Sequence, residues 1–386
     1  MRGLLYYGAK DLRFSKEIPK PTIKNPDDVL VKIGFCGICG TDLHEYEGPI
    51  FLQNAATTGD KISNKKLPLT LGHEFSGVVE EVGPGVTHLV PGDHVVVEAT
   101  GHCTDRHRYK ENNPYVNEPK CDACKQGFSN CCKDLNFCGL GVDNGALSEY
   151  VVYGASHILK IPRNKVSLDV AALVEPLSVA WHAIELTTNF VDGGFGEGKD
   201  ALVIGAGPIG LATILCLQGH KAGRIICSEP AKIRRERAAA LGAIVFDPSQ
   251  EDELQGIASL KKLTTSGAGF DATFDCSGLP ITYRTSIHAL RSRGVACNVA
   301  IWADKPVDHY VMDITLHENY TVGSLGYTTE DFRKVIEKMD SGDIDIEKVK
   351  TLITGRIGLE NAVQEGFLEL INHKDKHIKV LVSPDL

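Results

Sequence analysis

The sequence predicts an α/β protein in which a mostly-β part is followed by a doubly wound parallel sheet. Two patterns lead to this prediction. Up to about residue 160, short segments rich in β-branched residues lie between turns of Pro, Gly and Asp, whereas from about residue 165 apolar segments alternate with helical ones. A chain of 386 residues suits two domains of roughly 150 residues or more each.

The composition is that of a globular protein without a basic surface. Hydrophobic residues make up 42% of the chain, charged residues 24%, and the formal net charge is −9. Nucleic acids and anionic membranes select basic faces, so neither is expected as a partner. The longest apolar stretch, 201–217, is broken by glycines and is shorter than the ~20 residues of a membrane span, and the N-terminus lacks a signal-peptide pattern. We therefore expect a soluble cytoplasmic protein.

The first part of the chain is predicted to be built almost entirely from strands. These strands are 28–35, 74–82, 94–98 and 150–153. No long amphipathic helix is predicted among them, and the intervening loops carry most of the cysteines.

In the second part, a predicted helix at 168–187 precedes a glycine-rich turn, after which strands and helices alternate. The predicted strands are 201–204, 224–228, 244–246, 272–275, 295–301 and 321–325, and the predicted helices begin at 210 or cover 231–241 and 283–291. Strands that are apolar along their whole length indicate a parallel sheet covered on both faces. The tail holds two helical stretches and a final strand, 378–382, which we expect to return to the first part.

The strongest local motif is Gly-x-Gly-x-x-Gly, directly after the apolar segment 201–204. Gly205 permits a tight turn, Gly207 lets the backbone approach a pyrophosphate, and Gly210 lets the following helix pack close to the strand. The N–H groups at the start of that helix then point at the anion. The motif predicts a Rossmann-type dinucleotide site.

An acidic residue supports this interpretation. Glu229 lies 19 residues after Gly210, at the end of the next predicted strand. A carboxylate there binds ribose hydroxyls and repels a 2′-phosphate, which favours NAD over NADP. Arg234 and Arg235 follow closely and keep the alternative open, since arginine can hold a 2′-phosphate.

Cysteine is the unusual residue of this chain. There are 12, and eight of them lie between Cys36 and Cys138. In a reducing compartment, clustered cysteines hold metal more often than they form disulfides.

One set of cysteines is local. Cys121 and Cys124 form Cys-x-x-Cys, and Cys132 follows eight residues later, a spacing typical of a closed tetrahedral thiolate site. Three cysteines compete for the remaining position: Cys103, which we favour, and its rivals Cys131 and Cys138.

A second set of potential ligands is dispersed. It consists of Cys39, His73, Glu74 and Glu175. A thiolate, an imidazole and a carboxylate form the mixed set of a catalytic zinc, which keeps one position open. Spacing alone does not join residues so far apart in sequence.

Taken together, these segments resemble the zinc-dependent medium-chain dehydrogenase/reductase family, nearly from end to end. The segments that carry the resemblance are Cys-Gly-Ile-Cys-Gly-Thr-Asp-Leu-His at 36–44, Gly-His-Glu at 72–74, Gly-Asp-His-Val at 92–95, the cysteine loop, Glu-Pro-Leu-Ser-Val at 175–179, the glycine motif and Asp-Cys-Ser-Gly at 275–278. The resemblance implies a GroES-like zinc-binding catalytic domain over 1–180 and 321–386. It implies a Rossmann NAD-binding domain over 181–320.

The resemblance also implies roles for individual residues. Cys39, His73 and Glu175 match the ligands of a catalytic zinc, and Glu74 matches a residue that is sometimes a direct ligand and sometimes lies just behind one. Thr41 matches the hydroxyl that passes on the substrate proton, and His44 the imidazole at the solvent end of that relay.

The remaining site residues follow in the same way. Cofactor contacts are implied for Gly205, Gly207, Pro208, Ile209, Gly210, Glu229, Arg234 and Ser277. A structural zinc is implied at Cys103, Cys121, Cys124 and Cys132. Seventeen residues separate Cys103 from Cys121, where the family usually has two. The insert, 104–120, is polar and is expected on the surface.

The activity that the resemblance implies is hydride transfer between NAD and a secondary vicinal diol or hydroxyketone, with 2,3-butanediol and acetoin first. The implied cofactors are NAD and two Zn²⁺ per chain, one catalytic and one structural, in a homodimer or homotetramer. A sorbitol- or xylitol-type polyol dehydrogenase is the alternative. A non-catalytic dinucleotide-binding protein is the alternative from another class.

Overall fold

The chain divides into two units, each assembled from separate stretches of sequence. The computed structural model describes residues 1–111, 113–302, 305–373 and 376–386. The first unit comprises Met1–Glu175, Thr328–Ile336 and Ile353–Leu386, and the second comprises Pro176–Tyr327 and Glu337–Leu352.

The described strands and helices are numbered in chain order. The strands are β1 (Gly3–Gly8), β2 (Asp11–Ser15), β3 (Asp28–Gly37), β4 (Leu69–Thr70), β5 (Glu74–Val82), β6 (His94–Val97), β7 (Thr100–Gly101), β8 (Asn136–Phe137), β9 (Tyr150–Gly154), β10 (Ile158–Lys160), β11 (Ala201–Ile204), β12 (Ile225–Ser228), β13 (Ile244–Phe246), β14 (Phe270–Asp275), β15 (Leu290–Asn298), β16 (Tyr320–Gly323), β17 (Ile353–Gly358) and β18 (Lys379–Ser383). The helices are α1 (Gly40–Glu47), α2 (Gln53–Ala56), α3 (Asp122–Lys125), α4 (Leu168–Ala171), α5 (Val174–Thr188), α6 (Pro208–Gly219), α7 (Lys232–Ala240), α8 (Glu253–Lys262), α9 (Pro280–His288), α10 (Val311–His317), α11 (Thr329–Ser341), α12 (Ile346–Lys350) and α13 (Glu369–Asn372).

The first unit is organised around one large sheet. Its strand order is β10-β6-β5-β3-β18-β17, and β9 pairs with β3 as well. Every pair in this sheet is antiparallel except β17 with β18. Val31, Ile33, Phe75 and Val95 point into a shared core from three neighbouring strands and are at most 1% exposed. Such alternation of buried side chains is what the β-branched pattern predicts.

The final strand returns to the first unit, as expected. In β18, Leu381 and Val382 pair with Gly37 and Cys36 of β3. This pairing brings the tail of the chain next to the end of β3. The parallel neighbour β17 was not predicted from the sequence.

The second unit contains a six-stranded parallel sheet with the order β13-β12-β11-β14-β15-β16. Every residue of β11, β12 and β14 is buried, as predicted for strands of a sheet covered on both faces. The order reverses between β11 and β14, and ligands bind doubly wound sheets at the carboxyl ends of strands next to such a reversal.

The structure corrects three predictions of local structure. The helix predicted at 168–187 is interrupted between α4 and α5, and the helix predicted at 283–291 ends at His288, because Leu290 already begins β15. The helix α1 was missed among the predicted loops.

The insert 104–120 is not simply a surface excursion. Arg106 and Arg108 are 2% and 7% exposed. Their guanidinium groups pair with the buried carboxylates of Asp134, at 2.6 Å, and Asp28, at 2.8 Å. A charged side chain enters the interior when it meets an opposite charge there, and both partners lie outside the insert.

Within the described ranges, none of the helices combines the length and the hydrophobicity that crossing a bilayer requires.

Candidate functional site

Cys39, His73 and Glu74 come together in the first unit. Cys39 lies between β3 and α1, His73 lies immediately before β5, and Glu74 begins β5. The antiparallel pairing of β3 with β5 sets Gly37 opposite Glu74, and a Cβ on Gly37 would overlap the Glu74 carboxylate. One donor atom from each of the three residues lies within 4.8 Å of the other two. The sheet register therefore assembles a cluster that sequence spacing could not join.

Asp42 faces two members of this cluster. Its Oδ2 accepts a hydrogen bond from the backbone N–H of Cys39 at 2.9 Å. Its Oδ1 lies 3.5 Å from Nδ1 of His73. A carboxylate behind a histidine fixes the ring and leaves the other ring nitrogen directed at a ligand.

The chemistry of the donor set fits a zinc ion. His73 and Glu74 are 3% and 1% exposed. Burial, reinforced by the Glu74 carboxylate, raises the pKa of the Cys39 thiol, and a bound metal ion would favour the thiolate. A buried thiolate, an imidazole and a carboxylate are the mixed ligands of catalytic zinc sites.

Lys379 completes the surroundings of Glu74, and it was not predicted. Its Nζ lies 2.7 Å and 2.6 Å from the two Glu74 carboxylate oxygens and 3.4 Å from the carbonyl oxygen of Ile38. Burial lowers the pKa of Lys379, but the negative groups of Glu74, Cys39 and Glu175 outweigh burial and raise it. The only sequence signal was the expected return of the last strand.

Thr41 and His44 lie on one face of α1, three residues apart. The Oγ1 of half-buried Thr41 lies 3.7 Å from Sγ of Cys39, whereas His44 is exposed. The Thr41 hydroxyl therefore lies beside the cluster, and the His44 imidazole lies further along the same helix, exposed to solvent.

Glu175 lies in the first turn of α5 and is 7% exposed. Its charge acts on Lys379, which places it in the same neighbourhood. Within the part of the chain that the structure describes, the compact three-donor group contains Glu74 and does not include Glu175.

The second predicted cluster is also assembled. One donor atom from each of Cys103, Cys121, Cys124 and Cys132 lies within 4.8 Å of the other three. The two rivals for the fourth position, Cys131 and Cys138, are not members of this cluster. Cys131 is exposed, and the thiol of buried Cys138 donates a hydrogen bond to the Asn144 carbonyl oxygen.

The thiol geometry suits a tetrahedral ion. Sγ of Cys121 lies 3.9 Å from Sγ of Cys132, close to the ~3.8 Å edge of a tetrahedron with Zn–S bonds of ~2.3 Å. Burial raises the pKa of Cys121, but the backbone N–H groups of Cys124 and Lys133 lower it to about 6 overall. Backbone donors thus stabilise thiolate at this position.

The dinucleotide motif lines a cavity in the second unit. The cavity measures about 620 Å³, and its lining includes Gly205, Gly207, Glu229, Arg234 and Ser277. Ser277 follows β14 and donates from Oγ to the Ile204 carbonyl oxygen at 3.2 Å. The cavity lies at the carboxyl ends of β11, β12 and β14, where the sheet order reverses.

The three glycines differ in what they allow. Gly205 has φ +97°, and nothing lies within 4 Å of a Cβ placed on Gly207, which leaves open space at the turn. A Cβ on Gly210 would overlap the carbonyl oxygen of Gly205. Pro208 begins α6 and is followed by Ile209, so the helix starts within the motif.

Glu229 is held firmly at the end of β12. Its two carboxylate oxygens accept backbone N–H bonds from Ala206 and Ala231, each at 2.8 Å. Arg235 is engaged elsewhere, with the Asp247 carboxylate at 2.7 Å. Arg234, by contrast, lines the cavity.

The first unit carries the thiol-containing ligand clusters, and the second has the parallel sheet and glycine motif of a dinucleotide-binding domain. Together they are typical of oxidoreductases that combine zinc with a nicotinamide dinucleotide. The chain belongs to the zinc-dependent medium-chain dehydrogenase/reductase family. Residues 25–163 match the alcohol dehydrogenase GroES-like domain, and residues 208–341 match the zinc-binding dehydrogenase family.

Individual relatives resemble the chain over its whole length. It is 46% identical to (R,R)-butanediol dehydrogenase of Saccharomyces cerevisiae, covering 100% of this chain and 98% of the relative. It is also 46% identical to the yeast protein named probable diacetyl reductase [(R)-acetoin forming] 2, with 100% and 90% covered. The crystal structure of 2R,3R-butanediol dehydrogenase from Bacillus subtilis is 33% identical, with a TM-score of 0.85 and 99% of both chains covered. The family, fold class and enzyme class predicted from the sequence are confirmed.

Proposed function

We propose that the chain catalyses reversible hydride transfer between NAD and a vicinal diol or hydroxyketone, with 2,3-butanediol and acetoin as the substrate pair. The observation that carries this proposal is the buried cluster of Cys39, His73 and Glu74, with Thr41 and His44 leading from it toward solvent. The names of the yeast and Bacillus relatives support the choice of substrate.

We assign two zinc ions to each chain. Cys39 and His73 would hold the catalytic ion together with Glu74 or Glu175, and the four clustered cysteines would hold the structural one. A bound catalytic zinc supplies a Lewis acid that polarises the substrate oxygen and eases loss of its proton.

The surrounding residues handle the charge and the proton. Thr41 would accept the substrate hydroxyl proton while releasing its own hydroxyl proton toward His44, which would exchange a proton with water. The Asp42 carboxylate lies beside the ring of His73, and Lys379 balances the charge of Glu74. NAD bound at the glycine motif supplies the hydride acceptor.

The preference for NAD is assigned to Glu229. Its carboxylate, fixed by two backbone N–H groups, would accept hydrogen bonds from the ribose hydroxyls and repel a 2′-phosphate. Glu229→Ala is therefore expected to raise KM for NAD by about tenfold or more, a loss of about 1.4 kcal/mol, and to change KM for NADP far less. Initial-rate kinetics with both cofactors measure this. Glu236→Ala, on the exposed side of α7, is the control; equal changes for both cofactors would contradict the assignment.

Three further assignments complete the proposal. We assign the catalytic domain to 1–180 and 321–386 and the NAD-binding domain to 181–320; the two units support this division except that 176–180, 321–327 and 337–352 belong to the second unit. None of the twelve cysteines, all of which the structure describes, lies in a disulfide, which suits the cytoplasm. The second unit exposes the apolar side chains of Ile301, Val311, Met312 and Leu316, which supports a homodimer or homotetramer.

A substrate panel tests the proposed function. Initial rates with NAD are measured for 2,3-butanediol, xylitol, sorbitol and ethanol, alongside zinc content. We expect kcat/KM for 2,3-butanediol to exceed the others by about tenfold or more. A higher value for xylitol or sorbitol would assign the chain to polyol oxidation instead.

A further inference from the structure

A third group of potential metal ligands lies in the first unit and shares no residue with the two clusters above. It consists of Glu98, which follows β6, His102 and Asp105, which follow β7, and His157, which precedes β10. We call it the His102 cluster. Glu98, Asp105 and His157 are 1%, 4% and 2% exposed, and the His102 side chain is 15% exposed. Two buried carboxylates and two imidazoles therefore face one another away from water.

The Asp105 carboxylate lies between the two imidazole rings. Its Oδ1 is 3.2 Å from Nε2 of His157, and its Oδ2 is 3.0 Å from Nδ1 of His102. One donor atom from each of the three residues lies within 4.8 Å of the other two. Donors bound to one tetrahedral ion at ~2.0–2.1 Å are ~3.3 Å apart, and both contacts, one to each Asp105 oxygen, lie close to that separation.

Glu98 occupies the position of a supporting carboxylate. Its Oε2 lies 2.6 Å from Nδ1 of His157, on the opposite side of the ring from Asp105. The same carboxylate accepts hydrogen bonds from the hydroxyls of Thr100 and Thr329. A histidine that ligates a metal through one nitrogen usually donates from the other to a carboxylate. The orientation of His157 therefore directs Nε2 at Asp105 and His102.

We propose that the His102 cluster binds a divalent transition-metal ion, zinc in the first instance, through His102, Asp105 and His157, with Glu98 orienting His157. Imidazole and carboxylate ligands suit such ions. The ion would link Asp105, at the start of the insert, to the ends of β7 and β10, where the two histidines lie. The competing occupant is a proton on Nε2 of His157, which would make the same contact with Asp105 without any ion.

Metal stoichiometry of the full-length protein distinguishes the two occupants. The protein is equilibrated with excess Zn²⁺, desalted, and analysed for zinc per chain. We expect one equivalent more than the catalytic and four-cysteine clusters account for, and its loss in His102→Asn and in His157→Gln. His107→Asn is the matched control, because His107 lies in the same segment, its side chain is 57% exposed, and it contacts Asp27 instead. This variant should keep the full zinc content.

Cobalt substitution separates the His102 cluster from the neighbouring cysteine cluster, since His102 adjoins Cys103. Thiolate-to-cobalt charge-transfer bands should persist in both histidine variants, while one equivalent of Co²⁺ is lost. A wild-type protein that binds no additional equivalent overturns the proposal. So does an additional equivalent that both variants retain, or a loss of the thiolate bands in both, since the ion would then belong to the cysteines.

Discussion

At the scale of single residues, Lys379 carries the largest consequence for the candidate site. Its ammonium group pairs with both oxygens of Glu74, and the two side chains are 3% and 1% exposed. Removing one partner of a buried ion pair leaves an uncompensated charge in a medium of low dielectric constant. We therefore expect Lys379→Met to lower the free energy of unfolding by about 3–5 kcal/mol, as measured by urea denaturation.

The control for this prediction is another lysine paired with an acidic residue. Lys32 lies 3.6 Å from Asp385, but their side chains are 44% and 64% exposed. Exposed pairs contribute only about 0–1 kcal/mol, so Lys32→Met should be nearly neutral. Equal destabilisation by the two substitutions would show that the buried Lys379–Glu74 pair contributes no more to the free energy of unfolding than the exposed pair does.

The contact of Lys379 with Glu74 also illustrates what could not be predicted from the sequence. The glycine motif could be predicted because its three roles depend on a few consecutive residues. These roles are the tight turn, the open space for a ligand and the close packing of the helix on the strand. Lys379 is separated from Glu74 by 305 positions, and only the pairing of β18 with β3 joins them. No local pattern marks such a contact.

At the scale of structural elements, the proposed structural zinc would stabilise the cysteine loop, which has little core of its own. The loop is built from α3 and a short 3-10 turn, and α3 has no buried residue. Cys124→Ser should therefore lose one zinc per chain and, with about 3 kcal/mol of stability, roughly 6–12 °C of melting temperature. Metal analysis and calorimetry measure both effects.

Cys131→Ser is the matched control for the loop. Cys131 is exposed, adjoins Cys132, and is not among the four clustered thiols. It should keep its zinc and its melting temperature. Zinc loss from Cys131→Ser but not from Cys124→Ser would reassign the ligands.

The insert offers a prediction about pH. Burial raises the pKa of Asp28, but the Arg108 guanidinium and the N–H groups of Lys24 and Asn25 outweigh burial, so the pKa lies below its ordinary value. A depressed carboxyl pKa stabilises the fold above the unfolded value of ~3.9, and this contribution is lost as the pH falls below it. Asp28→Asn should thus cost about 3–5 kcal/mol at pH 7, and its difference from the wild type should shrink below pH ~4.

Denaturation curves at pH 7, 4 and 3 test this, with Asp27→Asn as the control. The Asp27 side chain is 43% exposed, and its carboxylate lies 3.3 Å from Nε2 of the exposed His107. A gap between Asp28→Asn and the wild type that stays constant with pH would contradict the role of the ionised carboxylate.

The elements also show why some predictions succeeded and why the prediction for the insert failed. The bounds of β5 and β13 follow from patterns within the segments themselves, and the structure reproduces them. The insert was predicted to lie on the surface because its residues are polar. Arg108 is instead buried by a partner 80 positions away, at Asp28, and the polarity of a segment cannot reveal a distant counter-charge.

At the scale of the whole molecule, the candidate metal site and the candidate dinucleotide site belong to different units. The cluster of Cys39, His73 and Glu74 is built wholly from the first unit, and the cavity around Gly205 and Glu229 wholly from the second. Each set of contacts is therefore complete without residues of the other. A substitution in the first cluster should leave the cavity intact.

We therefore expect Cys39→Ala to lose catalytic zinc and to reduce kcat by about a thousandfold or more, since the electrophile is removed, while Kd for NAD remains within about twofold of the wild-type value. Calorimetric titration with NAD and turnover of 2,3-butanediol measure the two quantities separately. NAD should also raise the melting temperature of the variant as it does that of the wild type, because a ligand stabilises whichever folded state binds it. Loss of NAD binding together with turnover would mean that the two units do not bind their ligands independently.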